Sequence, residues 1–423
     1  MAATLAGVTT GRGGAAPARR TSPVAGQVIA ARRALAATLG RPLASYYLVL
    51  GLTVVLAGLG LVMVLSASSI DSLARTGSPY GVFVHQVVYC VAGGVAFVLV
   101  GRVPVRRWRT ASPWLHACSL LALAAVLVPG LGSAAAGAQK WFVVAGLSLQ
   151  PSEPAKLTLV LWGAHVLLTR RGPGAGRRAW GWQALLPVVP VALLTAGLVV
   201  VEPDLGSALG LVVVLFALLW FAGVPGRLLG LLGAGALGAV GVLAVTASYR
   251  LARLTSFLGG GGDDSLGAGY QSQQALYSLA DGGLLGDGLG QGAAQWSYLP
   301  NASNDFVFAI LGEELGLVGS VAVLGLFALL GWVGLRIAAR TLDPWNRVVV
   351  ATLTVWLVAQ AVINVGYVLG LLPVTGITLP LISAGGSSVI VSMVSLGLLA
   401  AAARDEPEAR VALARGARVD PAR

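Results

Sequence analysis

The sequence is short of charge. Of its 423 residues only 10% are Asp, Glu, Lys or Arg, while 57% are hydrophobic. That ratio excludes a water-soluble globule, which covers itself with polar side chains. Lysine is nearly absent: Lys140 and Lys156 are the two in the chain, and the other basic residues are arginines. Cysteine is scarce as well. Cys90 and Cys118 both fall in apolar runs and read as small packing residues rather than a disulfide or a redox centre. His85, His116 and His165 are scattered, so no metal constellation is visible. The net charge of +12 is not a nucleic-acid signal, because the arginines sit in short gaps between apolar runs, where they orient a chain in a membrane.

What fills the sequence is apolar runs near the length of about 20 residues that a hydrocarbon core of about 30 Å demands of a helix. Ten segments qualify: 46–66, 82–100, 113–131, 156–168, 185–201, 205–224, 228–247, 305–335, 348–371 and 388–403. The fourth is short and is expected to extend backward; the eighth is long enough to tilt or project. The expected fold is therefore an all-α polytopic membrane protein with ten transmembrane helices. Residues 1–45, aperiodic and rich in Ala, Gly and Arg, read as a disordered basic cytoplasmic tail, too long and irregular for a cleaved signal peptide. Residues 404–423 read as a second cytoplasmic tail. Arginines follow the even-numbered segments (Arg102, Arg106, Arg107 and Arg109; Arg170, Arg171, Arg177 and Arg178; Arg227; Arg336, Arg340 and Arg347), which places both termini in the cytoplasm. Trp108, Trp114, Trp180, Trp182 and Trp345 cluster near these gaps as an interfacial belt would. The long gap at 248–304 is then a large extracytoplasmic loop between the seventh and eighth helices. Within it, 270–280 has the pattern of an amphipathic surface helix.

Charges near membrane depth are costly, so each is a functional candidate. Asp305 stands where the long loop enters the eighth helix; it reads either as an anion favoured by a helix N-terminus or as a general base. Glu313 and Glu314 lie deeper and read as pairing groups. In QPSEPAK (150–156), Glu153 and Lys156 are three apart; they form a local ion pair or turn toward an anionic substrate. In VEPDLGSALG, Glu202 and Asp204 occupy a tight turn. Arg250 and Arg253 break the charge asymmetry and suit lipid headgroups or phosphate clamping. Between 371 and 389 prolines and glycines interrupt the apolar pattern, which is tolerated at membrane depth only where protein or a wet cavity covers the backbone. The backbone at Gly385, Gly386 and Ser387 could form an anion nest. The glycines of GLLGDGLGQG are no dinucleotide fingerprint, since no βαβ unit surrounds them.

Five blocks, QPSEPAK, EPDLGSAL, YQSQQALYSLADGGLLGDGLGQG (270–292), LPNASNDFVFAILGEELGLVG (299–319) and INVGYVLGLLPVTGITLPLISAGGSS (363–388), resemble in content and order the signature blocks of the SEDS family (FtsW/RodA/SpoVE), over about residues 46–403. The resemblance implies a ten-helix peptidoglycan glycosyltransferase that polymerises lipid II outside the membrane. It implies partnership with a class B penicillin-binding protein and other divisome proteins, and it favours the division-associated branch over the elongation-associated one. It implies an essential Asp305, with Glu153, Lys156 and Asp204 beside it and Gln271 and Gln274 among the substrate contacts. The chain departs from the family pattern at Glu202, Ser303, Asn304 and Ala384, which bears on affinity and regulation. An α-linked donor and a β-linked product imply one displacement, with Asp305 as base and Lys156, Arg250 and Arg253 as the pyrophosphate clamp, with or without Mg²⁺ or Mn²⁺. The alternatives are a lipid flippase, which would line a path through the bilayer midplane with charge, and a non-catalytic scaffold.

Overall fold

The computed structural model describes residues 41–135, 138–144, 146–171, 185–246, 268–293 and 302–419. Arg250, Arg253 and most of the basic N-terminal segment lie outside them.

Helices form where the apolar runs are, and local chemistry sets their ends. In chain order they are α1 (Ala44–Thr76), α2 (Gly81–Arg102), α3 (Val105–Val126), α4 (Ser152–Arg171), α5 (Val188–Val201), α6 (Leu205–Ala222), α7 (Gly226–Thr246), α8 (Ala268–Asp281), α9 (Val307–Arg340), α10 (Pro344–Val368), α11 (Gly386–Arg404) and α12 (Pro407–Val419). Asp204 caps α6 by accepting from the Ser207 N–H at 3.2 Å. Asp343 does the same for α10, accepting from the Asn346 N–H at 2.9 Å with Pro344 at the first helical position. Gly77 and Gly223 end α1 and α6 in the left-handed conformation. Between α3 and α4 lies a small antiparallel meander, β1 (Ser133–Ala135), β2 (Ala138–Val144) and β3 (Leu147–Leu149), in which Phe142 pairs with Leu149.

Among the described residues six helices are long and apolar enough to cross a membrane, α1, α2, α6, α9, α10 and α11, and α5 and part of α7 are shorter apolar helices. Each of the ten apolar segments coincides with a helix, with shifted ends: α4 begins at Ser152, earlier than the run that marks it, and α1 continues well past residue 66. The amphipathic stretch at 270–280 is α8. The meander and α12 were not foreseen. α10 and α11 occupy the middle of the bundle, where Trp345, Trp356 and Tyr367 are fully buried. Trp345 is thus not an interfacial residue: its indole donates to the Leu161 carbonyl at 3.3 Å inside the core.

The long helix α9 is broken at Gly316 (φ 65°, ψ −166°). The glycine-rich segment after α8 fills the break. Asp287 and Gly288 donate backbone N–H bonds to the carbonyls of Glu313 and Glu314, each at 3.0 Å, and Leu317 and Val318 donate to Gly283 and Leu284 at 3.0 and 3.2 Å. The hydrogen bonds that the helix loses are supplied by this loop. The buried carboxylate of Glu313 accepts from the Ala293 N–H at 2.5 Å, and that of Glu314 from the Ser66 hydroxyl of α1.

The ends of the helices fall at two poles of the bundle. One pole collects the arginine-bearing ends: Arg102, Arg404 and Arg410 face one cleft and Arg106, Arg109 and Arg410 the next. There Arg340 forms ion pairs with Glu406, which precedes α12, and with Glu408 in its first turn. The other pole carries the meander, the α5–α6 turn, the start of α9 and the irregular segment between α10 and α11.

Candidate active site

At that second pole a cavity of about 590 Å³ opens. Six parts of the chain build it, among them α10 with Trp356 and Gln360. The N-terminal turn of α4 contributes Glu153 and Lys156, and the meander contributes Lys140, Trp141 and Ser148. The α5–α6 turn contributes Asp204 and Ser207. The entry to α9 contributes Asn304 and Asp305, facing Thr375, Gly376, Ile377 and Thr378 of the segment that precedes α11.

Lys156 and Glu153 are both buried and form an ion pair at 2.8 Å, one turn apart on α4. The Lys156 ammonium also lies 5.5 Å from the centre of the Trp356 ring, a cation–π contact in a desolvated setting. Buried charges require such partners. Across the cavity, the Asp204 carboxylate accepts from the Gln150 amide at 2.5 Å and stands 3.7 Å from the Lys140 ammonium. Gln150 is itself fixed, its backbone N–H donating to the Ser387 hydroxyl at 2.7 Å. Next to Asp204, Glu202 is fully buried and neither carboxylate oxygen has a hydrogen-bond partner among the described residues. Burial, with the Asp204 charge beside it, pushes the Glu202 carboxyl up to about 8 against the opposing pull of Lys140.

The irregular backbone at the cavity floor is satisfied by side chains from neighbouring helices. Gln360 donates to the Thr378 carbonyl at 3.1 Å, Asn364 to that of Ile377 at 2.7 Å, and Gln86 of α2 to that of Ser383 at 3.2 Å. This is the cover that non-helical chain at membrane depth requires. Gly376, with φ 73°, keeps the floor low: a Cβ there would stand 3.4 Å from the Asp305 carboxylate.

Of the residues picked from sequence, Asp305, Lys156, Glu153, Asp204 and Gly385 line this one cavity. The others do not. The ring of Tyr89 covers Gly386, and Ser387 spends its hydroxyl tying Gln150 and Ser148 to α11, so the proposed three-residue nest reaches the cavity only at Gly385. Gln271 and Gln274 sit on α8 and are not part of the cavity lining. Sequence reading missed Lys140, Gln150, Trp356 and Gln360. Lys140 carried a usable signal: in a chain with two lysines, both line the cavity. Among the described residues no three His, Cys, Asp or Glu side chains are grouped to hold a cation, so the Mg²⁺ or Mn²⁺ considered above finds no ready protein cage there.

Residues 46–408 match the family model FtsW/RodA/SpoVE, described as "Cell cycle protein". The chain is 47% identical over 385 residues to the "Probable peptidoglycan glycosyltransferase FtsW" of Mycobacterium tuberculosis (strain ATCC 25618 / H37Rv), covering 91% of this chain and 72% of that protein. It is 35% identical over 351 residues to "Stage V sporulation protein E" of Bacillus subtilis (strain 168), covering 82% and 94%. Among solved structures, one described as "Structural coordination of polymerization and crosslinking by a peptidoglycan synthase complex" superposes with a TM-score of 0.68 at 31% identity, covering 84% of this chain and 97% of that one. The Thermus thermophilus rod shape determining protein RodA does so with a TM-score of 0.60 at 29% identity, covering 85% and 96%. By sequence over most of its length and by fold, the chain belongs to the FtsW/RodA/SpoVE family of multi-pass membrane proteins.

Proposed function

We propose that the chain is a peptidoglycan glycosyltransferase that polymerises lipid II into glycan strands on the outer face of the cytoplasmic membrane, in septal wall synthesis. The observation that carries this reading is the gathering of Asp305, Lys156, Lys140, Asp204 and Glu153 around one cavity at the pole opposite the arginines. By the positive-inside asymmetry that pole faces outward, with ten spanning helices and both termini in the cytoplasm. A cavity of this size accepts the sugar–pyrophosphate part of a lipid-linked donor.

The chemistry follows from the groups present. A hydroxyl oxygen of the acceptor sugar attacks the anomeric carbon of the donor. The bond from that carbon to the pyrophosphate oxygen breaks, and its electron pair leaves with the pyrophosphate. The configuration inverts. Asp305, at the mouth of α9, takes the hydroxyl proton. Lys156 and Lys140 neutralise the charge that develops on the leaving group, and because Glu153, Asp204 and Gln150 hold these groups in place, little reorganisation is needed. Arg250 and Arg253 would add to the clamp from outside the described residues. The Mycobacterium tuberculosis relative is named a probable peptidoglycan glycosyltransferase, and the structural neighbour is described as a peptidoglycan synthase complex that coordinates polymerization and crosslinking; a penicillin-binding transpeptidase is the corresponding partner here.

The deciding experiment is glycan synthesis by the purified chain with lipid II in detergent, with and without such a transpeptidase. Detergent abolishes sidedness, so a flippase produces no glycan there and a scaffold produces none either. Long strands support the reading; intact lipid II in both arms contradicts it.

A further inference from the structure

Asp305 precedes α9 rather than belonging to it. The first backbone bonds of α9, from Ala309 and Ile310, go to the Phe306 carbonyl. The Asp305 carbonyl is instead held by two side chains of α10. Asn364 donates to it from its amide at 2.9 Å, and the Tyr367 hydroxyl lies 2.8 Å from the same oxygen. The same two groups reach the Ile377 carbonyl, at 2.7 and 2.6 Å, and Asn364 Nδ2 and the Tyr367 oxygen are 2.6 Å apart. An amide has two protons to give and a phenol one. Three protons therefore serve two carbonyls, one from each of two segments that have no regular secondary structure.

We propose that Asn364 and Tyr367 are positioning residues that set the Asp305 carboxylate against Gly376 by tying the Asp305 and Ile377 carbonyls to one rigid helix. Both residues are fully buried, so neither touches substrate. Both sit near the end of α10, and the Tyr367 ring is wedged edge-on against Phe306 at 5.7 Å. Gly376 directly precedes Ile377, and its bare Cα faces the Asp305 carboxylate. A shift of either carbonyl changes the gap in which that carboxylate lies. The Asn364 amide accepts a cost for this geometry: with its nitrogen turned to the carbonyls, its oxygen is buried with no partner among the described residues. A residue selected for packing alone would not leave an acceptor stranded.

The inference rests on Asp305 acting as the base, and the test separates the two ideas. Tyr367→Phe keeps the ring packed on Phe306 and removes the hydroxyl. Asn364→Asp keeps the shape and turns an acceptor toward two carbonyls. Both are compared with the wild type and with Asp305→Asn for kcat and KM on lipid II in detergent, beside thermal unfolding. A misplaced reacting group costs up to about 100-fold. The expected result is a kcat loss of about tenfold for Tyr367→Phe, at an unfolding temperature near that of the wild type, and a larger loss for Asn364→Asp. KM should stay within about threefold, because the cavity walls that bind substrate are untouched. The double variant should lose less than the product of the two single losses, since both groups hold the same carbonyls. Wild-type kcat in a folded Tyr367→Phe variant, with Asp305→Asn inactive, overturns the positioning role and leaves the base. Activity loss that only tracks loss of folded protein also overturns it. Wild-type turnover by Asp305→Asn removes both.

Discussion

Lys156 and Glu153 are worth more to each other than either is to the fold. Both are buried, and removing one leaves the other charged in a low-dielectric setting. Lys156→Met is expected to cost about 3–5 kcal/mol in detergent unfolding. Adding Glu153→Gln to that variant should recover much of the stability while polymerisation stays lost, because the leaving-group cation is gone. Stability that does not recover would show that the pair is held by more than its own attraction. Glu202 behaves oppositely. Its carboxyl titrates in the folded protein at about 8 against an ordinary 4.5. The folded state disfavours the ionised form, so stability falls as pH rises from about 4.5 to about 8, and the whole penalty is present above that. Glu202→Gln is isosteric and uncharged. It should leave stability unchanged at low pH and raise it increasingly toward pH 8, after which the gain is flat. A pH-independent effect in thermal unfolding would contradict this.

At the scale of elements, the break in α9 is the feature to test. Gly316 adopts a φ of 65° and its Cα lies against the backbone of Leu284 and Gly286, so any side chain there is both strained and crowded. Gly316→Ala is expected to destabilise the protein by at least about 1–3 kcal/mol. It should also loosen the 282–292 loop, read as faster backbone exchange at Asp287 and Gly288. Unchanged exchange at those amides would mean that the loop does not depend on the break. This junction also shows what a sequence discloses and what it hides. The ten apolar segments were readable because hydrophobic length is set by the bilayer, a constraint that acts on every residue of a span. α8 was readable from its amphipathic spacing. The break at Gly316 was not, since its cause is a partner segment some thirty residues earlier in the chain, and nothing local distinguishes Gly316 from the other glycines of α9. The meander was hidden because two of its strands have three residues each and the first lies in an Ala- and Gly-rich stretch. α12 was hidden because its charge made it look like tail; ion pairs to Arg340 from Glu406, just before it, and Glu408, in its first turn, tie its start to the bundle.

At the scale of the whole molecule, charge is separated by pole. Arginines line the clefts at one end of the bundle and both lysines line the cavity at the other. The site is legible to the same degree. Asp305, Glu153, Lys156 and Asp204 announced themselves as charges beside apolar runs, and they share a cavity. Asn364, Gln150 and Gln360 did not, because uncharged amides in a helix carry no sign of which backbone they serve. The orientation that follows from the poles can be tested with single cysteines in a Cys90→Ser, Cys118→Ser background. Ser133→Cys, beside the cavity, should react with a membrane-impermeant thiol reagent in intact spheroplasts. Leu342→Cys, exposed at the arginine pole, should react only after permeabilisation. The reverse pattern would place the cavity in the cytoplasm and exclude a reaction on the outer face.

The central claim is that a cavity carboxylate at the entrance to α9 does the proton transfer of glycan polymerisation. Asp305→Asn tests it most directly, with purified protein, lipid II and a transpeptidase partner, measuring turnover and lipid II affinity on the same preparation. Loss of a positioned base costs about 10²–10⁴-fold. The account predicts a fall in turnover of that size, with lipid II binding and unfolding temperature close to those of the unaltered protein. Near-normal polymerisation by that variant would contradict it.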